Sequence, residues 1–235
     1  MTAKTNGKPR LVQDPALRNQ THIFENRYQA GKLLAKKLER YRDYAVIVLA
    51  IPAGGVPVGV AIAEHLQCGF HLMITRKIQI PWQPEAGYGA VAPDGSVVLN
   101  EPLVQQLHLT RDEIKQHVAI VLKEIDRRSK KFLGGVSFPN LTSKIVLLTD
   151  DGLASGFTML AAIRAVMKQN PAKVIVAVPT APASTINRIS GVDVIICLNV
   201  RDSRFFAVAD AYVRWHDLSD REVEEYLKKV DSLQM

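Results

Sequence analysis

The stretch Lys144–Thr158, KIVLLTDDGLASGFT, constrains this chain more than any other. Ile145 to Leu148 is a run of branched apolar residues, as expected of a strand buried on both faces. Two adjacent carboxylates, Asp150 and Asp151, end that run. Gly152 to Gly156 then form a short turn with one hydroxyl, Ser155, and a helical pattern begins at about Phe157. A strand that ends in such a turn and a helix start offers backbone N–H groups to a phosphate, while the two acids can take sugar hydroxyls or a metal.

The same alternation runs through most of the chain. Tyr44–Ile51 reads as a buried strand, Pro52–Gly55 as a turn and Val56–Leu66 as a helix. His71–Thr75 is a second strand that delivers Arg76 and Lys77 to its C-terminal end. Ile78–Ser96 carries Pro81, Pro84, Gly87, Gly89, Pro93 and Gly95, which predict an irregular or hairpin-like excursion before Val97–Leu99 returns as a strand. Val174–Val178 and Val192–Leu198 are further strands, with a short helix over Pro182–Ile189 between them. A helix from about Phe24 places Tyr28, Leu33, Leu34, Ala35 and Leu38 on one side. Capping boxes at Thr110/Glu113 and Ser219/Glu222 open two more helices, the first ending near Gly134. Continuous apolar strands alternating with helices predict an α/β fold, a doubly wound, mostly parallel sheet with helices on both faces. Residues 1–21 are polar and without a period and read as a loose arm, leaving 22–235 as a single domain.

In such a sheet, ligands bind beyond the carboxyl ends of the strands. Pro52–Gly55, the pair Arg76 and Lys77, and Asp150–Thr158 all fall there. Together they describe a site for a phosphorylated sugar carrying a second phosphate-rich group. The net charge of +7 suits an anionic partner. Nucleic acid is not the expected one, because there is no helix-turn-helix module and no basic stripe interleaved with aromatics. Cys68 and Cys197 stand far apart without metal-ligand spacing and read as core thiols of a reducing compartment. The uncharged run Tyr44–Ala63 is broken by three glycines and two prolines, which excludes a membrane span, and no apolar leader is present. A cytoplasmic protein is the expectation. A dinucleotide-binding oxidoreductase fits the sheet but not the loops, since no GxGxxG follows the first strand.

The stretch LLTDDGLASGFT resembles the phosphoribosyl diphosphate signature of type I phosphoribosyltransferases. IPAGGVPVG resembles their pyrophosphate loop, TRK the basic pair after the second strand, and FFAVADAYVRWHD the hood that covers the base in some members. The similarity runs from about Phe24 to Tyr226. It implies that Asp150 and Asp151 take the ribose hydroxyls. The loop Gly152, Leu153, Ala154, Ser155, Gly156 and Thr158 would take the 5-phosphate. Ala53, Gly54 and Gly55 would approach the diphosphate, with Arg76 and Lys77 beside it. Ala53 stands where many relatives carry arginine, one diphosphate contact fewer. The resemblance further implies Mg²⁺, held mainly by substrate and water with Asp150 and Asp151 as its protein contacts. It also implies a hood at about residues 200–216, with Phe205 and Phe206 stacking on a base. A homodimer and a place in nucleotide metabolism are usual for such a family. Arg76 and Lys77 would stabilise the leaving diphosphate, and Glu85, on the excursion that could close as a lid, is the candidate general acid or base. The expected function is transfer of phosphoribose from 5-phosphoribosyl 1-diphosphate to a nucleobase-like acceptor; the alternative is a regulatory protein that binds this ligand without turnover.

Overall fold

The computed structural model describes residues 7–203 and 205–231. In chain order the strands are β1 (Arg10–Gln13), β2 (Val46–Ala50), β3 (Gly69–Leu72), β4 (Arg76–Ile80), β5 (Gln83–Val91), β6 (Val97–Leu99), β7 (Ile145–Thr149), β8 (Lys173–Pro182) and β9 (Val194–Arg201). The helices are α1 (Arg27–Leu38), α2 (Gly55–Leu66), α3 (Glu101–Gln106), α4 (Arg111–Leu133), α5 (Phe157–Met167), α6 (Ala183–Ile186) and α7 (Asp220–Asp231).

Six strands form one parallel sheet in the order β1-β9-β8-β7-β2-β3. Successive residues on a strand face opposite sides, and both sides here are apolar. Val48, Ala50, Leu147, Ile175 and Ala177 pack with α1 and α2, whereas Ile47, Leu49, Val146, Leu148 and Val176 pack with Met159, Ala162, Ile163 and Val166 of α5. Helices therefore cover both faces, as the continuous apolar strands predict. Both capping boxes form: Thr110 Oγ1 accepts from the Glu113 N–H and Ser219 Oγ from the Glu222 N–H, and each glutamate accepts from the N–H of its partner.

Two expectations need correction. Residues 10–13 are not a loose arm, because they add β1 to the sheet edge, parallel to β9. A four-residue strand with two half-buried positions is too short to show a period in sequence. The second parallel strand ends at Leu72, so Arg76 and Lys77 do not cap it but open β4. The Pro- and Gly-rich excursion takes the hairpin-like form, and Val97–Leu99 returns as expected: β4, β5 and β6 make a separate antiparallel sheet, with register shifts between Ile78 and Ile80. Its glycines are accommodated by such irregularities rather than by loss of the strand. The turn expected at Pro93–Gly95 joins β5 to β6.

Candidate active site

The chain runs from β2 outward to β3 and later returns to place β7 on the other side of β2. That reversal is a topological switch point, where adjoining loops diverge and leave a crevice beyond the strand ends. The loop after β2, Pro52–Gly55, and the loop after β7, Asp150–Gly156, meet there.

The meeting is close. A Cβ on Gly54 would lie 1.9 Å from Asp151 Oδ2, and one on Gly55 would lie 2.8 Å from Asp150 Cα. The two glycines thus let the β2 loop approach the acid pair, a role not read from their resemblance to a diphosphate loop. Asp151 is turned toward this loop and away from the cleft. Its Oδ2 accepts from Arg27 Nε at 2.8 Å, with the side chains only 14% and 7% exposed respectively. Its carbonyl accepts from Tyr212 Oη at 2.5 Å. Asp150 lines the cleft instead, and its Oδ1 accepts the Asp151 N–H at 2.9 Å. Burial and the neighbouring Asp151 carboxylate push the Asp150 carboxyl well above its ordinary range. Burial also raises Asp151, opposed there by the Arg27 guanidinium. The same burial lifts the Tyr212 hydroxyl well above its usual range, helped by Asp151.

Arg27, which holds Asp151, is the member of this cluster that sequence reasoning missed. Its signal was present: it lies one helical turn before Ala30 and Gly31 and two before Leu34, all buried on α1. A cation on the apolar stripe at a helix start has neither solvent nor a favourable dipole to explain it.

From Gly152 onward the loop borders a cleft of about 480 Å³, lined by Lys77, Ala86, Gly87, Gly89, Asp150, residues 152–158 and Val208. Its carbonyls are held from behind. Thr185 Oγ1 donates to the Ala154 carbonyl at 2.6 Å and Arg188 Nη1 to that of Ser155 at 2.8 Å. A trans peptide points its N–H opposite to its C=O, so this anchoring turns amides toward the cleft. Gly156, at φ +83°, starts α5 with no side-chain cap. The first-turn N–H groups of the helix are therefore open to an anion.

The two cations expected to act together part company. As consecutive residues of β4 they point to opposite faces. Lys77 borders the cleft, while Arg76 shares its face with the buried Ile78 and Ile80. Burial, and then the nearby Arg128, lower the Arg76 pKa from its usual value. Phe205 and Phe206 do not line the cleft: Phe205 is 87% exposed, and the hood residue that reaches the loop is Val208. Ala53 is half-buried against the core on the α1 and α2 side. Glu85 lies on β5, its side chain outside the described residues. Among the described residues no group of three or more His, Cys, Asp or Glu is gathered. A divalent cation here would find at most the acid pair, a donor set that fits Mg²⁺ supplied mainly with substrate oxygens and water. A groove of about 530 Å³ at the amino ends of the strands, lined by Arg10, Arg40 and Lys173, lies at the far end of the sheet from the acids. No helix among the described residues is long and apolar enough to cross a membrane.

Residues 19–212 match the phosphoribosyl transferase domain. Proteins from two strains of Mycobacterium tuberculosis, both named provisionally as phosphoribosyl transferases, are 36% identical over 208 residues, 88% of this chain. The chain spans about half the length of these curated relatives, 47%. The crystal structure of TT1426 from Thermus thermophilus superposes with a TM-score of 0.72 at 29% identity, covering 87% of this chain and 97% of that one.

Proposed function

The chain belongs to the phosphoribosyl transferase domain family, and from that premise we propose that its cleft binds 5-phosphoribosyl 1-diphosphate and transfers the phosphoribosyl group to a nitrogenous acceptor of nucleobase type. The observation that carries this reading is the loop after β7. It sets a carboxyl, Asp150, in one cleft with a loop whose Ala154 and Ser155 carbonyls are anchored and which leads into an uncapped helix start. The amides of residues 155–158 receive the 5-phosphate, with the Ser155 and Thr158 hydroxyls beside them, while the Leu153 N–H is spent on the Thr180 carbonyl at 3.0 Å. Asp150 takes a ribose hydroxyl. Lys77, on the opposite wall, faces the diphosphate.

The acceptor nitrogen forms its bond to the anomeric carbon as the bond from that carbon to the diphosphate oxygen breaks. Negative charge grows on the departing diphosphate, and Lys77 stabilises it from the cleft wall. Arg76 takes no part in this step, since its side chain occupies the other face of β4. Mg²⁺, when bound with the diphosphate, would supply further positive charge and would find Asp150 as its nearest protein donor. Val208 on the hood stands over the sugar loop, where it limits the space left for the acceptor.

Calorimetry with 5-phosphoribosyl 1-diphosphate, with and without Mg²⁺, tests the reading. Wild type should bind and Asp150→Asn should not; absence of binding by wild type overturns it. Diphosphate release in the presence of a nucleobase panel then tests turnover. A regulatory reading rests on one observation, that Lys77 is the only cation among the described residues that line the cleft. Tight binding without diphosphate release across the panel would favour it.

A further inference from the structure

Building on the phosphoribosyl diphosphate reading, we propose that Arg27 is a positioning residue that aims Asp151 and links the acid pair to the hood at Tyr212–His216. One guanidinium makes three contacts at once. Nε donates to Asp151 Oδ2 at 2.8 Å, Nη1 donates to the His216 carbonyl at 2.9 Å, and the planar group lies 3.8 Å from the Trp215 ring centroid. Trp215 packs in turn on Tyr212, with centroids 5.2 Å apart, and Tyr212 donates to the Asp151 carbonyl. The circuit closes through Asp151, which is touched by both ends of it.

The hood is anchored on the same side of the molecule. Val213 N–H donates to the Phe24 carbonyl and Arg214 N–H to that of Glu25, just before α1 begins. Arg27 therefore stands where the segment Tyr212–His216, the start of α1 and the acid pair meet. Asp151 has little freedom of its own, because Gly54 blocks it on one side and Arg27 holds it on the other. A sugar hydroxyl that draws on Asp150 Oδ1 competes with the bond that oxygen accepts from the Asp151 N–H, and a shift of Asp151 reaches Arg27, the stacked Trp215 and the His216 carbonyl. Occupancy of the sugar subsite is thereby communicated to the segment that covers the acceptor. Lysine cannot substitute, since it lacks both the fork and the flat face.

The chain has two tryptophans, so a Trp82→Phe background leaves Trp215 as its own reporter. In the ligand-free arm, Asp151→Asn in this background should shift Trp215 emission, because the neutral amide holds the guanidinium by an uncharged and weaker hydrogen bond. Unchanged emission and unchanged iodide quenching overturn the link. In the ligand arm, 5-phosphoribosyl 1-diphosphate with Mg²⁺ should change Trp215 emission along the same saturation curve as the calorimetric heat. Arg27→Lys should weaken binding by about tenfold or more and abolish the emission response. Binding within about twofold of the background chain with the response intact refutes the role, because a charge-assisted contact that mattered would cost more. Should Arg27→Lys not fold, Trp215→Leu keeps the Arg27–Asp151 pair and removes only the stacking; folded protein that binds as tightly as wild type again refutes it. Failure of wild type to bind the ligand sinks the proposed function alone, and the ligand-free arm still decides the link.

Discussion

Replacing Gly54 by alanine sets two physical effects against each other. Gly54 sits at φ −59° and ψ −35°, ordinary helical backbone, where alanine should stabilise by about 0.4–1 kcal/mol by restricting the unfolded chain. The added Cβ, however, would stand 1.9 Å from Asp151 Oδ2 and 2.3 Å from its Cγ. No rotation of a methyl group relieves such an overlap, so the carboxylate or the loop must move. Overpacking of this kind costs about 1–3 kcal/mol. Displacing Asp151 also breaks its bond to Arg27, a charge-assisted contact worth about 1.5–3 kcal/mol. The steric and electrostatic losses outweigh the entropic gain, leaving a net destabilisation of about 2–5 kcal/mol. For a chain of this length each kcal/mol moves Tm by about 2–4 °C, so a fall of roughly 5 °C or more is expected. Thermal unfolding followed by circular dichroism reads it, and calorimetry with phosphoribosyl diphosphate should show binding lost with it. A Gly54→Ala chain with equal or higher Tm and unchanged binding would refute the account of the acid pair.

Lys77→Ala should weaken phosphoribosyl diphosphate binding by about tenfold and flatten its salt dependence, whereas Arg76→Ala, on the other face of β4, should leave binding within about twofold; calorimetry at two ionic strengths distinguishes them. Asp150 has a folded pKa raised by burial and by Asp151. The stability of its protonated form is thus fully present below the unfolded value of 3.8 and is lost as pH rises through the folded one. Asp150→Asn should accordingly raise Tm at neutral pH while abolishing ligand binding, and a Tm that falls there contradicts the assignment. Thr185→Val removes the 2.6 Å bond to the Ala154 carbonyl, and the loosened loop should lose about 1 kcal/mol, or about fivefold, in affinity for the 5-phosphate end of the ligand.

What could be read from sequence was what a strand or helix states locally. β2, β7, β8 and β9 are runs of branched apolar residues because both of their faces are covered, and that pattern needs no partner to be recognised. The two capping boxes are equally local, their groups three residues apart. β1 could not be seen in the same way, because its edge position exposes half of what a central strand would bury. The antiparallel sheet was legible only as a hairpin-like excursion and a returning strand, for a related reason. Its prolines and glycines read as breaks, and only cross-strand pairing shows that β5 tolerates them.

The site divides along the same line, and the division explains the acid pair. Asp150 and Asp151 are adjacent and chemically identical, so local reasoning assigns them one role. Two buried carboxylates side by side repel, however, and a fold that keeps both must give them different surroundings. Neighbouring residues at a strand end point in different directions, which is enough to send one side chain into the cleft and the other toward the β2 loop. What receives Asp151 there is Arg27, 124 residues earlier in the chain, and no spacing rule connects positions so far apart. The sheet order connects them: with β2 next to β7, α2 packs over β2 and α1 over α2, bringing the start of α1 to the end of β7. The cation thereby leaves Asp151 committed to the scaffold and Asp150 the carboxyl that lines the cleft, so equal residues in the sequence become a holding group and a cleft-facing group in the fold.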